Sequence, residues 1–413
     1  MKPIHKHIGR RLSTYKRHFT KYLYEKDTIF ATIWVFIFIG VLAFQPINFY
    51  FFNPLKLALQ DFQLNDITTS KLGRGTDTLQ REIVIVNIGA ADREGIAYII
   101  DQVGSMKPKV IGLDAIFYSE KDPYQDSILA AVLERHPNLV LANKLSLSGP
   151  SGDTITPTGT FFPTAARYGY ANLFSDSLTT TRYFYPVQKD YAGNTYPFFA
   201  TAILEQYDRD AYQYLRKRNK EKEIINYSRR VDQFQVIEPE DLFAGNVEAS
   251  AIAGKIALLG YVSRNPYDIE DKFFTPMNER FIGKAYPDMN GIVVHANILS
   301  MALERNYIKN LPSWVNVLAA VLICWLHMSF FIRYYLENHI WFHLVAKIAQ
   351  LVSAIVFAFL GMMLLEWFNI QLDMKLSLIV IVLAVDIIYF YEAFAVWMHK
   401  KFNYHTVFHQ KHH

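Results

Sequence analysis

Residues 81–117, REIVIVNIGAADREGIAYIIDQVGSMKPKVIGLDAIF, decide the fold of the middle of this chain. The run 81–88 is short, β-branched and bounded by polar residues, as a strand covered on both faces requires. Over 95–106 the spacing of Ile96, Ile99, Ile100 and Val103 predicts a helix with one apolar side. A second apolar run, 110–117 (VIGLDAIF), predicts another strand. Strand, helix and strand within about 35 residues make a βαβ unit, which favours a parallel sheet with a right-handed crossover.

Working outward, residues 126–134 (DSILAAVLE) predict a helix opened by an acidic cap, and 139–142 a strand. Residues 198–214 predict a helix, 216–223 (RKRNKEKE) a solvated helix end or loop, and 255–260 (KIALLG) a late strand. Residues 291–303, opening GIVVHANIL, run from a strand-like start into a helix. Before the first strand, 53–66 reads as a partly helical connector. The pattern is one α/β domain with a mixed, largely parallel sheet.

The rest of the chain follows a different solvent logic. Of its 413 residues 51% are apolar, and they concentrate in four runs, 28–47, 314–331, 348–365 and 376–397, each near the length that crosses a bilayer. One expected span precedes the α/β domain and three follow it. Basic residues crowd the N-terminus (Lys2 to Lys26), flank the loop between the second and third spans (Arg333, Lys347) and follow the last (Lys400, Lys401, Lys411). The positive-inside rule therefore puts both termini in the cytoplasm and the domain outside it, in a bacterial inner membrane. The expected layout is a basic cytoplasmic segment at 1–27, an anchor at 28–50, an extracytoplasmic domain at 51–312, three transmembrane helices at 313–398 and a His/Lys-rich cytoplasmic tail at 399–413. The first run is too long for a cleavable signal core, and Phe44, Gln45 and Pro46 offer no small-residue cleavage site, so it reads as an uncleaved anchor. The single cysteine, Cys324, falls in the second span and leaves the domain without a disulfide. The net charge of +4 belongs largely to the cytoplasmic ends and suits anionic lipid; no aromatic-basic motif supports nucleic-acid binding.

Several blocks of the domain resemble the CHASE2 extracellular sensory family. They are Gly254-Lys255-Ile256-Ala257-Leu258-Leu259-Gly260, Asp271-Lys272-Phe273-Phe274-Thr275-Pro276 and Gly291-Ile292-Val293-Val294-His295-Ala296-Asn297, in that order. Ile111-Gly112-Leu113-Asp114 with Phe117 and Glu120 resembles the family's central strand and acidic loop. Gly169 to Arg182 resembles its glycine-to-arginine turn, and Asp241 to Gly245 the element before its late strand. The resemblance covers about residues 53–312 and extends to the flanking order of one span before and three after. Asn87, Ile88 and Gly89 stand where the family carries acidic residues, and its tryptophan-rich helix start is missing. The resemblance implies sensing of an extracytoplasmic stimulus passed to a cytoplasmic kinase or cyclase. Residues 398–413 are too few for such an output domain, so a separate effector is expected.

Candidate ligand-binding residues in the domain are Asp114, Glu120, Asp176, Arg182, Asp271, His295 and Asn297. His295 lies where a strand-like run becomes a helix. There it either faces an anion-binding helix N-terminus at a sheet edge or tethers the last helix through a local carbonyl. Asp114, Glu120 and Asp122 have the oxygen chemistry for a hard cation but fit no regular loop. Asp271 precedes an aromatic pair and either organises a turn or lines the same cleft; Asp176 and Arg182 pair with each other or clamp a ligand. In the membrane part, Asp386 falls near the middle of the last span, where a lone carboxylate is costly. His327 and Lys347 are its candidate partners, and the readings are an interhelical hydrogen bond, contact with another membrane protein, or proton movement. No GxSxG, HExxH, CxxC or phosphate-loop pattern occurs, so no catalytic residue, metal or cofactor is assigned and the chain is expected not to be an enzyme. The expected function is a membrane-anchored sensor, the alternatives being a scaffold subunit of an envelope complex and a transport accessory subunit. Its expected partners are membrane lipid, a membrane or cytoplasmic effector and a small extracytoplasmic ligand, with self-association left open.

Overall fold

A computed structural model describes residues 22–44, 66, 69, 78–148, 154–162, 167–175, 180–278, 286–337 and 340–411. The chain divides into two compact units, residues 52–308 and residues 1–51 with 309–413. The connector expected over 53–66 lies outside the described residues apart from Asp66.

In the first unit the βαβ reading holds. Strand β1 (Gln80–Asn87), helix α2 (Arg93–Ser105) and strand β2 (Val110–Leu113) are followed by α3 (Pro123–Arg135) and β3 (Leu139–Ser148). Next come β4 (Thr154–Thr158), β5 (Arg167–Tyr170), α4 (Phe199–Tyr207), α5 (Arg209–Lys217), β6 (Phe234–Ile237), α6 (Pro239–Phe243), β7 (Ile256–Gly260) and α7 (Gly291–Leu303). They build a seven-stranded sheet in the order β6-β1-β7-β2-β3-β4, with β5 also on β3. All its pairings are parallel except β3 with β4. The late strand β7 inserts between β1 and β2, pairing Val86 with Leu259 on one side and Leu259 with Leu113 on the other.

Because successive side chains of a strand point to opposite faces, each strand serves two cores. Ile83 and Ile85 of β1 and Leu258 of β7 join α4 and α7 in one. Val84 and Val86 of β1 and Leu259 of β7 join α2 and α3 in the other. This double coverage explains why the strands read as continuous apolar runs rather than alternating ones.

Several boundaries differ from expectation: β3 runs on to Ser148, and the helix expected from Asp126 starts at Pro123 with Asp122 as its acidic cap. β2 ends at Leu113, where its neighbour β7 is also ending, so Asp114 leaves the sheet while its N–H still reaches Leu259 O at 2.8 Å. The helix expected over 198–214 is two helices, because the Asp208 carboxylate caps Asp210 N and Ala211 N and starts a new one. The stretch from Gly291 is helical from its first residue, after a two-residue strand at Met289–Asn290.

The second unit contains α1 (Lys26–Phe44), α8 (Ser313–Glu337), α9 (Phe342–Phe368) and α10 (Lys375–Phe402). The last three are long and apolar enough to cross a membrane. Ala320, Cys324, Met328, Phe331 and Tyr335 of α8 pack with Ala384, Ile388, Tyr391 and Ala395 of α10, together with Ala31 and Val35 of α1. α9 joins through a narrower stripe, Phe342, Ala346 and Gln350. The Gln350 amide donates to the carbonyls of Ile381 and Val382, each at 2.7 Å. Lys309–Asn310 pairs in parallel with Ile370–Gln371 of the α9–α10 turn.

Candidate functional site

Four titratable side chains gather at the carboxyl end of the parallel sheet, the edge where open α/β folds bind ligands. Asp114 follows β2, Lys144 lies on β3 just past its pairing with β2, Asp271 precedes the strand Lys272–Phe273, and His295 lies in the second turn of α7. Asp271 holds a left-handed backbone (φ 49°), a conformation aspartate tolerates better than most residues. Its carbonyl accepts from Gly291 N at 2.9 Å. Its carboxylate lies so close to the helix start that a Cβ on Gly291 would sit 3.0–3.1 Å from both oxygens. Gly291 is thus what lets the carboxylate approach the positive end of α7.

His295 is buried, with its ring 5.1 Å from both Phe198 and Phe199. Nε2 stands 3.9 Å from Asp114 Oδ2, and Nδ1 has no hydrogen-bond partner among the described residues. Burial pushes the imidazole down to about 3, with the Lys144 ammonium acting in the same direction, so His295 is neutral. Burial pushes the Asp114 carboxyl up to about 7; Asp271 adds to the rise and Lys144 opposes it. Asp271 is raised to about 6, chiefly by desolvation, against the pull of Lys144 and the Gly291 N–H. Asp271 is an exposed residue, however, so water screens its rise. Asp114 keeps 15% of its side chain open to solvent, and it is the group whose protonation changes near neutrality. The arrangement can take up a proton, or accept hydrogen bonds from a small cationic or neutral donor, beside a neutral imidazole.

The other sequence candidates have different surroundings. Asn297 is fully buried, and its amide oxygen accepts from Ser228 N (3.1 Å) and Arg229 N (3.0 Å). Its amide nitrogen donates to Arg229 O (2.9 Å) and Val293 O (3.0 Å). That fills its hydrogen-bonding capacity and makes it a clamp between α7 and residues 228–229. Arg182 is buried and ion-paired with Asp66 at 2.6 Å; Asp176, its expected partner, lies outside the described residues. Glu120 is exposed in the loop after β2. Asp122 caps α3 through Tyr124 N and Gln125 N. Among the described residues no group of three or more His, Cys, Asp or Glu is placed to hold a metal ion.

In the helical unit Asp386 meets Lys347, with Nζ 3.2 Å from Oδ1. His327 is not its partner, because its Nδ1 lies 2.8 Å from Ile323 O one turn back on the same helix. Glu392 accepts from Tyr335 OH at 2.6 Å. Two functional-looking groups escaped the sequence reading. Lys144 was legible only as a charge inside the alternation NKLSLS, which extends β3 beyond its expected end. Asp27, one acid among bases, is buried and accepts from Tyr391 OH (2.6 Å), Tyr404 OH (3.2 Å), Thr406 Oγ1 (3.0 Å) and Val407 N (2.7 Å). It ties the segment after α10 to the first turn of α1.

Comparisons with curated proteins and with solved structures found no match. The family model described as the CHASE2 domain matches residues 32–330, well over half of the chain. CHASE2 is an extracellular sensory domain family, and three apolar helices fit a membrane sensor. With sheet, motif order and family match in agreement, the chain belongs to the CHASE2 domain family.

Proposed function

We propose that this protein is a membrane-anchored, non-enzymatic sensor. Its α/β domain lies outside the cytoplasm of a bacterial cell, with both termini inside. It reads a proton or small ligand at the cluster of Asp114, Lys144, Asp271 and His295, and its helices pass the state to a separate effector. The observation that carries the reading is the cluster itself: a neutral buried imidazole beside a carboxyl raised to about 7, at the ligand-binding edge of a sensory-family sheet. The basic residues at the chain ends support the orientation. α1 as a fourth crossing is part of the same proposal.

The mechanism is a population shift, in which occupancy of the cluster favours one seating of α7. α7 carries His295 and Asn297, and the chain runs from its end through residues 304–312 directly into α8. Two measurements test this. In a Cys324→Ser background, Tyr191→Cys, at an 85% exposed residue, should react with an impermeant maleimide in intact spheroplasts. Labelling only after lysis would overturn the placement. In nanodiscs, Asp114→Asn with Asp271→Asn should change hydrogen exchange across residues 304–320; unchanged exchange there would remove the cluster as the origin of the signal.

A further inference from the structure

Lys347 and Asp386 join α9 to α10 with Nζ 3.2 and 3.4 Å from the two carboxylate oxygens. Both side chains are nevertheless more than half exposed, 55% and 54%. Ionisable residues in membrane helices face protein or water, because lipid tails solvate neither charge nor hydrogen bond. The surroundings on the same two helices, Leu344, Ile348, Val382 and Phe390, are exposed and apolar, as a lipid-facing surface should be. The pair is therefore a polar island in an apolar face. It is not a residue turned inward.

Each member has capacity to spare. The ammonium carries three donors and the carboxylate about four acceptor sites, and their mutual contact uses only part of them. We propose that this face docks a second copy of the same chain, two Lys347–Asp386 pairs meeting across a two-fold axis so that each ammonium bridges both carboxylates. Charge complementarity selects this occupant. A copy brings one cation and one anion in the same apolar setting, giving a closed, electroneutral ring of four charges, as an isologous interface requires. A different helix would have to supply its own matched pair at the same spacing. On the same helices His343 and Tyr389 stack with ring centroids 5.6 Å apart and a 3.2 Å contact from the tyrosine hydroxyl. They extend the polar seam by one turn on α9 and by about one on α10. The proposal does not depend on what the α/β domain binds.

The test uses the full chain with Cys324→Ser in nanodiscs containing excess lipid. Single cysteines are placed at Ile348 or Val382 and, as a control, at Leu322, a 45% exposed residue of α8. Oxidation should give at least tenfold more disulfide-linked dimer at 348 or 382 than at 322. Adding Lys347→Met with Asp386→Leu should reduce that yield at least tenfold, whereas the exchange Lys347→Asp with Asp386→Lys should retain it. The yields at 348 and 382 are read with the native charges in place, so a variant that fails to insert does not blunt the test. Equal yields at all three positions, or yields unaffected by neutralising the pair, would overturn the proposal. So would a stoichiometric foreign membrane protein in place of self-crosslinking.

Discussion

Asp114→Asn should abolish a pH dependence of stability that the native α/β domain carries. A carboxyl raised on folding contributes most below its unfolded value, 3.8, and loses that contribution as pH rises through about 7. At 1.36 kcal/mol per tenfold change in proton affinity the full span is about 4 kcal/mol. Water reaching the exposed part of the side chain, and the effective dielectric of real protein sites, reduce this to about 2–4 kcal/mol. The Asp271 charge contributes to the rise of Asp114, so the two titrations are coupled and their contributions do not add. Asparagine imitates the protonated acid, so native and variant should be equally stable only below the unfolded value of 3.8, with the native falling behind as pH rises towards 7 and the variant stronger by the full difference at pH 8. Tryptophan fluorescence would not report it, since all six tryptophans lie outside residues 52–308. Hydrogen exchange of a peptide covering β2, corrected for intrinsic rates, reads the domain directly. At 1.4 kcal/mol per factor of ten, Asp114→Asn should be protected about 30- to 1000-fold more than the native protein at pH 8. Parallel protection of the two proteins from pH 5 to pH 8 would refute the assignment of a raised carboxyl to this position.

His295→Ala should cost about 3 kcal/mol, because it opens a cavity between Phe198 and Phe199. His295→Leu should cost less than about 1.5 kcal/mol, since it keeps the volume and deletes the unpartnered Nδ1; the exchange of α7 separates the two. Gly169→Ala should destabilise by about 1–3 kcal/mol, as the new Cβ would stand 2.7 Å from Phe199 Cα, an atom of the α4 backbone. The check is the urea midpoint for exposure of β5 peptides. Asp27→Ala strips the acceptor from three hydroxyls and one backbone N–H and should cost about 3 kcal/mol locally. Limited proteolysis should then cut within residues 403–411, where the native protein resists.

How far the sequence could be read depended on the range of the forces involved. β1 and α2 were legible within about two residues, and β2 at its start, because helix and strand periods are set by neighbours along the chain. Extents were harder. β2 stops at Leu113 because β7, supplied from far along the chain, is ending beside it. The split of α4 from α5 turned on whether Asp208 would cap or continue a helix. Site chemistry was harder still. His295 and Asp114 were visible as candidates, yet nothing near either in sequence makes the imidazole neutral or raises the carboxyl. That follows from Phe198 and Phe199 at the start of α4, Lys144 on β3 and Asp271 beyond β7, all brought in by the sheet order. In the helical unit, composition and length marked the three helices that are long and apolar enough to cross a membrane, because the bilayer acts on each segment alone. The choice of Lys347 over His327 as the partner of Asp386, and the capture of Asp27 by residues at the other end of the chain, depended on which helix faces met. Local periodicity and hydropathy are written residue by residue, whereas burial, pairing and proton affinity are properties of neighbours that only folding supplies.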